Sequence, residues 1–315
     1  MTSERDIRDA FFDEIAKYVL SDPSYHVLTN DMDVYSLREI NRLRPDQLIN
    51  VGVAEQNTLN VAAGLASTGC KVLVFGISSF FAFRSYEQLR ISIAGMRLPV
   101  TVVGVGQGFS FSYDGPTHHG VDDLGVLRTI PELEVLSPGD CEMARECASY
   151  ASEAAGPKYV RLDKGIYPSL YSNLEKLELG FKVIKEISEV TVVATGSLLP
   201  MVHEVVGELR GMGTNIGLVD VIRISPLPKE LLQALSTSKH VIVVEENSSR
   251  GGLFSAILES KGHANFEVSF LGSGLGTSQV FAYGSRSWHL ENAGLTKQSL
   301  FDRIDCAINM TNAKT

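Results

Sequence analysis

Apolar residues recur in two patterns along this chain, and together they predict a mainly parallel α/β protein. Ile7, Phe11, Ile15 and Val19 are spaced four residues apart, which predicts an amphipathic first helix. Short apolar runs predict strands over 26–29, 71–77, 100–105, 134–136, 159–162, 190–194, 216–221, 241–244 and 268–271. Because helical patterns lie between these runs, we expect parallel sheets that are covered by helices on both faces.

The alternation is interrupted once, and the interruption suggests two domains. Between residues 165 and 189 the periodicity is lost, and a charged stretch follows several Tyr, Pro, Ser and Asn residues. We therefore predict two three-layer α/β domains, over 1–168 and 189–315, with a linker over 169–188. Helices are predicted from Glu55 onward and over 80–95, 140–154, 200–211, 229–235 and 296–309, the last one capped by Thr296.

Composition and charge exclude several classes of protein. The formal net charge of −9 argues against general affinity for nucleic acid, because binding to phosphates needs a cationic surface. No apolar run approaches the ~18 residues of a membrane span, and the charged start does not resemble a secretory signal, so we expect a cytoplasmic protein without membrane contact. The four cysteines lack the spacing of a metal site and are interpreted as reduced, structural thiols.

One carboxylate stands at the start of a helix made of small and apolar residues. The run 50–69 contains a single acidic residue, Glu55, within Val-Gly-Val-Ala-Glu-Gln-Asn and before Ala-Ala-Gly-Leu-Ala. An ionised carboxylate loses hydration when such a helix packs against a sheet. Interaction with the helix macrodipole is one explanation for this residue, and a functional role is the other.

This string resembles the glutamate motif of transketolase and its thiamine diphosphate-dependent relatives. In that family the glutamate bonds the ring nitrogen N1′ of the cofactor's aminopyrimidine and favours the tautomer that takes the proton from thiazolium C2. The resemblance therefore implies a catalytic and cofactor-binding role for Glu55, with the chemistry supplied by the cofactor. It also places Asp31, at the end of the strand 26–29, among the cofactor-binding residues.

A row of aromatic residues carries the second similarity. Phe80, Phe83 and Tyr86 are three residues apart, which predicts that their rings share one side of a helix. The row is similar to the transketolase pattern Phe-x-x-Phe-x-x-Tyr, and that similarity implies that the rings hold the aminopyrimidine. Packing in an ordinary core is the alternative, because helical spacing of aromatic residues usually reflects packing.

The loop sequence Asp114-Gly-Pro-Thr-His118 carries the third similarity. It matches the family string Asp-Gly-x-Thr-His, whose aspartate and histidine face the sugar substrate. His118 could donate to a carbonyl oxygen that becomes an alkoxide, and Asp114 could accept from a hydroxyl group. A solvated turn is the alternative, and His119 is interpreted as a structural or supporting residue.

Cationic candidates for a substrate phosphate are Arg8, Arg161 and Lys164, the last by its similarity in position to a phosphate-binding arginine of the family. Ion pairing at the surface is the other common role of such residues. The chain departs from the family in having Gly residues at 104–108, where many transketolases carry a histidine that binds phosphate. We therefore expect an unusual sugar that is larger or less dependent on its phosphate. The Gly run lacks the third glycine and the helix of a dinucleotide site.

The resemblance covers only the second half of a full-length transketolase. The family binds the cofactor's diphosphate through Mg²⁺ with a Gly-Asp-Gly motif and an Asn, and Gly139-Asp140-Cys141 is the nearest match here. The similarity implies a split enzyme. A separate N-terminal-section subunit would hold Mg²⁺ and the diphosphate, the two chains would share thiamine diphosphate, and two copies of each would form a heterotetramer.

The function implied by this resemblance is transfer of a two-carbon ketol unit between sugars or sugar phosphates. A β subunit of a 2-oxo acid dehydrogenase is an alternative enzyme, although Asp114 to His118 favours sugars. A deoxyxylulose-phosphate synthase is another, although that enzyme normally has both halves in one chain. A non-catalytic regulatory subunit with the same fold is the alternative from a different class.

Overall fold

The computed structural model describes residues 6–171, 177, 180–261 and 268–312, which form two mostly parallel sheets with helices on their faces. The first sheet has seven strands, which in spatial order are β10 (Arg223–Ser225), β5 (Glu134–Leu136), β6 (Lys158–Leu162), β4 (Val100–Val105), β3 (Lys71–Ile77), β1 (Tyr25–Thr29) and β2 (Leu48–Asn50). The second has five, in the order β12 (Ser269–Leu275), β11 (His240–Ser248), β8 (Val190–Ala194), β9 (Ile216–Val221) and β7 (Phe181–Lys185). Of the strands in these described ranges, only the edge strands β10 and β7 run antiparallel to their neighbours. The predicted α/β class is confirmed.

The first domain contributes six strands and five α-helices to the described structure. In chain order they are α1 (Ile7–Ser21), β1 (Tyr25–Thr29), α2 (Tyr35–Leu43), β2 (Leu48–Asn50), α3 (Glu55–Ser67), β3 (Lys71–Ile77), β4 (Val100–Val105), α4 (Asp123–Leu127), β5 (Glu134–Leu136), α5 (Cys141–Glu153) and β6 (Lys158–Leu162). One buried cluster lies between the sheet and α1, α2 and α5, and another lies beneath α3.

The second domain contains the remaining strands and helices. They are β7 (Phe181–Lys185), β8 (Val190–Ala194), α6 (Leu199–Gly211), β9 (Ile216–Val221), β10 (Arg223–Ser225), α7 (Lys229–Leu235), β11 (His240–Ser248), α8 (Leu253–Lys261), β12 (Ser269–Leu275), α9 (Arg286–Asn292) and α10 (Lys297–Asn312). Thr296 caps α10 as predicted, since its Oγ1 accepts from the backbone N–H of Ser299 at 3.1 Å.

Two edge strands differ from the sequence-based organisation. Strand β7 lies inside the range predicted as a linker, 169–188, and pairs with β9; residues 172–176 and 178–179 of that range lie outside the described residues. Strand β10 pairs with β5 of the first sheet, although it follows β9 in the chain. One hydrophobic cluster includes Val135 of the first domain together with Val219 and Val243 of the second. The two domains therefore share packed apolar surface.

The predicted helix over 80–95 is instead two π-helical segments, Phe80–Arg84 and Gln88–Ala94. π-helical turns are rare and occur frequently at functional sites. Because a π-helix has more residues per turn than an α-helix, a spacing of three no longer stacks side chains on one face. None of the described helices is both long and apolar enough to cross a bilayer.

A buried group of charges joins the two domains, and we call it the interdomain charge cluster: Asp163, Glu246 and Arg286. Glu246, only 1% exposed, binds Arg286 with Oε2 to Nη2 at 2.5 Å, and Arg286 Nη1 binds Asp163 Oδ2 at 2.8 Å. The Glu246 carboxylate also accepts from the Phe109 backbone N–H and the Ser197 hydroxyl, both at 2.8 Å. Each charge is thus paired and hydrogen-bonded, which buried charges require.

Glycine is needed where the first domain meets this cluster. Gly108 has φ of 56°, and a Cβ there would lie 2.3 Å from the Glu246 carboxyl group. Gly106 has φ of 106°, and a Cβ would lie 2.4 Å from the Phe111 ring. The Gly-rich run after β4 therefore allows close packing of backbone against side chains, which explains its composition without a dinucleotide.

Replacing Glu246 by Ala should reduce the free energy of unfolding by about 3 kcal/mol, because the Phe109 N–H, the Ser197 hydroxyl and one side of Arg286 lose their partner in a buried site. Urea unfolding followed by circular dichroism measures this change. Glu204→Ala is the matched control, since Glu204 pairs with Lys297 on the surface, and it should change stability by less than about 0.5 kcal/mol. Equal effects of the two substitutions would contradict the role of the cluster.

Asp220 is a second buried acid in the fold. It lies in β9 with no exposed surface, and its Oδ2 accepts from the Tyr171 hydroxyl at 2.6 Å. Burial raises the pKa of Asp220 from 3.8 to about 8, so the protonated form is favoured in the folded chain at neutral pH. In the unfolded chain the same group ionises near its ordinary pKa.

Asp220 should therefore make stability fall as pH rises. Its contribution is fully present below a pH of about 4 and is lost as the pH approaches and passes 8, with a slope of up to about 1.4 kcal/mol per pH unit. Asp220→Asn keeps an acceptor for Tyr171 and should remove this slope. Urea unfolding of both proteins at pH 5 and pH 8 measures it, and parallel pH profiles would count against the assignment.

Candidate functional site

The predicted site residues gather at one edge of the first sheet because they follow the carboxyl ends of its parallel strands. Asp31 follows β1, Glu55 follows β2, Phe80 follows β3, the loop with His118 follows β4, and Lys164 follows β6. Ligands of open α/β sheets bind at this edge. The strand order β4-β3-β1-β2 thus brings together residues that lie far apart in the sequence.

Glu55 is the first residue of α3 and is buried, with 4% of its surface exposed. Its Oε2 accepts from Arg84 Nη1 at 3.2 Å, and the Arg84 side chain is 49% exposed. The loop before Glu55 is held by Asn30, whose Nδ2 donates to the Gly52 carbonyl at 2.8 Å and to Thr58 Oγ1 at 2.7 Å. A negative charge at a helix N-terminus is also favoured by the helix dipole.

Arg84 and Asn30 are site residues that the sequence-based reasoning missed. Arg84 follows Phe80 by four residues, and its guanidinium carbon lies 3.8 Å from the centre of the Phe80 ring. In the sequence, Arg84 stands between Phe83 and Tyr86, and a basic residue within an aromatic row could have indicated a cation–π contact. The planar guanidinium thus contacts both the Phe80 ring and the Glu55 carboxylate.

The three predicted rings have different surroundings. Phe80 is half-buried and meets His118 edge-on, with 4.9 Å between ring centres. Phe83 is 47% exposed, although it is a large apolar side chain. The Tyr86 hydroxyl instead lies 2.8 Å from Thr129 Oγ1, and its ring packs against the core.

His118 lies on a turn whose geometry depends on Gly115. Gly115 has φ of 76°, and its carbonyl accepts from the N–H groups of His118 at 3.0 Å and His119 at 3.2 Å. His118 Nδ1 lies 2.9 Å from Thr117 Oγ1, and its ring also approaches Phe111, with 6.1 Å between ring centres. The turn therefore holds the imidazole beside Phe80.

Asp114 and His119 flank this histidine in opposite environments. Asp114 is exposed, whereas His119 is buried and has Nε2 3.3 Å from the Ser112 carbonyl. Burial lowers the pKa of His119, so the neutral ring is favoured. Asp31 is exposed at the end of β1 with φ of 56°, and Asn50 donates to its carboxylate at 3.2 Å.

Of the three candidate cations, Lys164 is exposed beside the site. Its Nζ lies 4.5 Å from the centre of the Phe111 ring that also faces His118. Arg8 binds Asp6 through its Nε and Nη2, both at 3.0 Å, at the start of α1.

The structure does not support Arg161 as a phosphate ligand, because the residue is 1% exposed and each of its three guanidinium nitrogens already donates to a protein acceptor. Its Nε donates to Asp123 at 2.8 Å, its Nη1 to Gln107 at 3.1 Å, and its Nη2 to the carbonyls of Gly120 at 2.7 Å and Glu246 at 3.1 Å. Arg161 is a structural residue beside the interdomain charge cluster.

The Asp140 carboxylate, in the Gly-Asp-Cys segment, is also occupied. It accepts from the N–H of Met143 at 2.8 Å, which caps α5, and from the N–H of Leu170 at 2.7 Å. Within the described ranges, no three His, Cys, Asp or Glu side chains come together in a way that could hold a metal ion.

Comparison with known families accounts for nearly the whole chain. Residues 3–169 match the family described as "Transketolase, pyrimidine binding domain", and residues 180–299 match "Transketolase, C-terminal domain". The first match covers the sheet edge with Glu55 and His118, and the second covers the domain that contributes Glu246 and Arg286.

Similar proteins and structures support the same grouping. The chain is 28% identical to one of the subunits of the apulose-4-phosphate transketolase of Phocaeicola vulgatus, over 84% of this chain and 86% of that protein. It is 30% identical to "Putative transketolase C-terminal section" of Methanocaldococcus jannaschii, over 82% of each. The solved structure "Split gene transketolase, inactive beta4 tetramer" superposes with a TM-score of 0.87 at 28% identity, covering 96% of this chain and 98% of that one.

The different roles of Arg161 and Lys164 can be measured as stability. Arg161→Ala should lower the free energy of unfolding by about 3–5 kcal/mol, because it leaves the Asp123 carboxylate buried without its partner. Lys164→Ala should cost less than about 1 kcal/mol, because only an exposed cation–π contact is lost. Thermal and urea unfolding of both variants provide the test, and a stable Arg161→Ala protein would contradict the structural assignment.

Proposed function

This chain belongs to the transketolase family of transferases, and on that premise we propose that it is the C-terminal-section subunit of a split transketolase. It would transfer a two-carbon ketol unit between sugars, with thiamine diphosphate shared between this chain and an N-terminal-section subunit. The observation that carries the proposal is the contact of one planar cation, Arg84, with both Glu55 and Phe80.

The contact with Arg84 indicates which kind of group Glu55 and Phe80 can bind. The guanidinium of Arg84 is flat, donates an N–H to the Glu55 carboxylate and lies over the Phe80 ring. The aminopyrimidine of thiamine diphosphate is also flat and offers a ring nitrogen to a carboxylate, so Glu55 and Phe80 suit it. Because Arg84 is half-exposed, its side chain can turn outward when the ring binds.

The residues of this chain then have distinct roles. When bound, thiamine diphosphate would supply the nucleophilic carbon that attacks the ketose carbonyl. Glu55 would hold the proton at the pyrimidine nitrogen, and Phe80 and Phe83 would contact the ring. His118 would donate a proton to the substrate's carbonyl oxygen as it becomes an alkoxide, and it would accept the proton of the neighbouring hydroxyl, which becomes the aldehyde of the released sugar when the carbon–carbon bond breaks. The exposed Asp114 accepts from a sugar hydroxyl, and Lys164 contacts a substrate phosphate as a point charge.

A second chain is needed for the other end of the cofactor. The Asp140 carboxylate is used to cap α5 and to bind Leu170, so it is not available to Mg²⁺. We therefore assign Mg²⁺ and the diphosphate to the partner. In the similar split-gene transketolase, a tetramer of four β chains is inactive, which supports this dependence.

Exposed apolar residues near Glu55 offer a surface for that partner. Val53 is 69% exposed, Phe83 47%, Ile91 55% and Met96 60%, and they lie before α3 and along or just after the π-helical segments that contact it. Exposed apolar side chains in one region commonly mark an interface. We propose two copies of each subunit, with the cofactor between unlike chains.

The experiment mixes this chain with a candidate N-terminal-section chain, thiamine diphosphate, Mg²⁺ and a panel of ketose donors and aldose acceptors. Product formation by the mixture, and by neither chain alone, is the expected result. Activity of this chain alone would contradict the shared site. A stable complex that binds cofactor but is inactive with every sugar pair would favour a non-catalytic subunit.

In the active mixture, Glu55→Gln should lower kcat/KM by about 10²- to 10⁴-fold, because the amide cannot hold the pyrimidine proton. The melting temperature should change little, since the partner Arg84 is half-exposed and stays hydrated. Glu39→Gln, on the exposed side of α2, removes the same charge outside the site and should leave kcat/KM unchanged. Full activity of Glu55→Gln would exclude the carboxylate from the reaction.

A further inference from the structure

A cavity of about 620 Å³ lies between the two domains, next to the candidate site. It is formed by the first-domain loop 109–122, by Phe83 and by the second-domain segment 275–293. Its volume is within the range of about 300–1,000 Å³ that is typical of small-molecule sites. The transfer reaction as described above uses none of the second-domain residues that line it.

Aromatic rings form one wall of this interdomain cavity. Phe109 stacks on His289 with 4.6 Å between ring centres, and Trp288 meets His289 edge-on at 5.0 Å. The Trp288 side chain is nevertheless 42% exposed. Arg286, two residues before Trp288, anchors this wall in the interdomain charge cluster. Anchored aromatic rings suit the C–H face of a sugar ring, which is apolar.

Apolar residues such as Val121, Leu275 and Val280 also line the cavity, and three further lining residues have polar side chains without a positive charge. Asp122, Gln279 and Asn292 offer carboxylate and amide groups that can bond hydroxyls in several directions. Among the lining residues that the structure describes, none is Lys or Arg. Burial lowers the pKa of His119 in the same wall, so its ring does not supply a cation at neutral pH either. A phosphorylated or carboxylated ligand would therefore find no Lys or Arg counter-charge here.

We propose that the interdomain cavity binds an uncharged carbohydrate, with its ring against Trp288 and its hydroxyls bonded to Asp122 and Gln279. Polar and aromatic groups from both domains contribute, so the second domain becomes part of a ligand site. The cavity also requires the two domains to stay in the arrangement that the charge cluster maintains.

The cavity reaches the candidate active site through Thr117. Thr117 lines the cavity, and its Oγ1 lies 2.9 Å from Nδ1 of His118. The uncharged far end of a sugar substrate that reacts beside His118 would therefore enter the cavity, and this assignment of the occupant rests on the proposed function. Lys164 contacts Phe111, which also approaches His118. The cationic side chain therefore lies next to Phe111, whereas the uncharged cavity lies next to Thr117, the other neighbour of His118.

Trp288 makes a direct binding test possible, because it is the single tryptophan of the sequence. The isolated full chain, without partner or cofactor, is titrated with D-ribose, D-glucose and maltose while its emission is recorded. We expect saturable emission changes with a dissociation constant of about 1 mM or lower for at least one sugar. Ribose 5-phosphate should bind at least about tenfold more weakly than ribose by the same signal.

Two variants show whether that signal arises in the cavity. Gln279 is an exposed loop residue that lines the cavity, so Gln279→Ala should fold normally and weaken binding at least about tenfold. Tyr283→Ser is the control, since Tyr283 is 78% exposed and outside the lining, and it should bind like the wild type. No saturable change up to about 10 mM of each sugar, equal binding by Gln279→Ala, or preference for the phosphate would each overturn the proposal.

The result is independent of the ketol-transfer assay. Binding by the chain without any activity in the reconstituted mixture would support the cavity and reject the proposed function. Ketol transfer by the mixture without sugar binding by the isolated chain would contradict the carbohydrate site and would leave the proposed function supported. If both hold, Gln279→Ala should raise KM for an uncharged acceptor while kcat is kept, and a change in kcat alone would contradict the placement of the substrate's far end.

Discussion

The structure depends on a small number of charges that are buried where the two domains meet. Arg286 pairs with both Glu246 and Asp163, and the Glu246 carboxylate also accepts from the backbone N–H just after the Gly-rich run. Arg161 lies next to them, and its Nη2 donates to the Glu246 carbonyl. Removing any one partner would leave a charge in a site of low dielectric constant, so the cluster strongly favours a single arrangement of the domains.

This constraint positions the loop between β4 and α4. The loop starts at the charge cluster with Gly108 and Phe109, turns at Gly115 and returns at Gly120, whose carbonyl binds Arg161. His118 lies at the tip of a loop that is anchored at both of its ends. The orientation of the His118 imidazole beside Phe80 is therefore linked to contacts in the second domain. The two domains match separate families, but the site in the first depends on contacts with the second.

At the other side of the candidate site, the carboxylate of Glu55 is paired. Glu55 is buried, and Arg84 supplies both a counter-charge and a flat surface over Phe80. Without such a partner, the buried carboxylate would lack compensation for its lost hydration. The pairing suits a subunit that folds before it meets its cofactor and partner, because the arginine is half-exposed and can leave.

The sequence by itself determined much of the fold and several members of the candidate site. Dense local patterns, such as the fourfold spacing in α1 and the apolar runs of β3, β4 and β9, identify elements whose burial is already encoded in neighbouring residues. Glu55 and His118 could be singled out because each stands in a short, distinctive string. Family similarity then placed both strings in one site.

Only the tertiary structure decided which polar side chains are buried and what they contact. Arg161 and Lys164 look alike in the sequence, but the partners of Arg161 lie 38 and 85 residues away, at Asp123 and Glu246, and only folding reveals them. Strand β10 likewise pairs with β5 across the domain boundary. The interdomain cavity has the same origin, because its walls come from segments more than 150 residues apart. Local periodicity reports burial along one element, whereas ion pairs and cavities depend on long-range contacts that no local pattern contains.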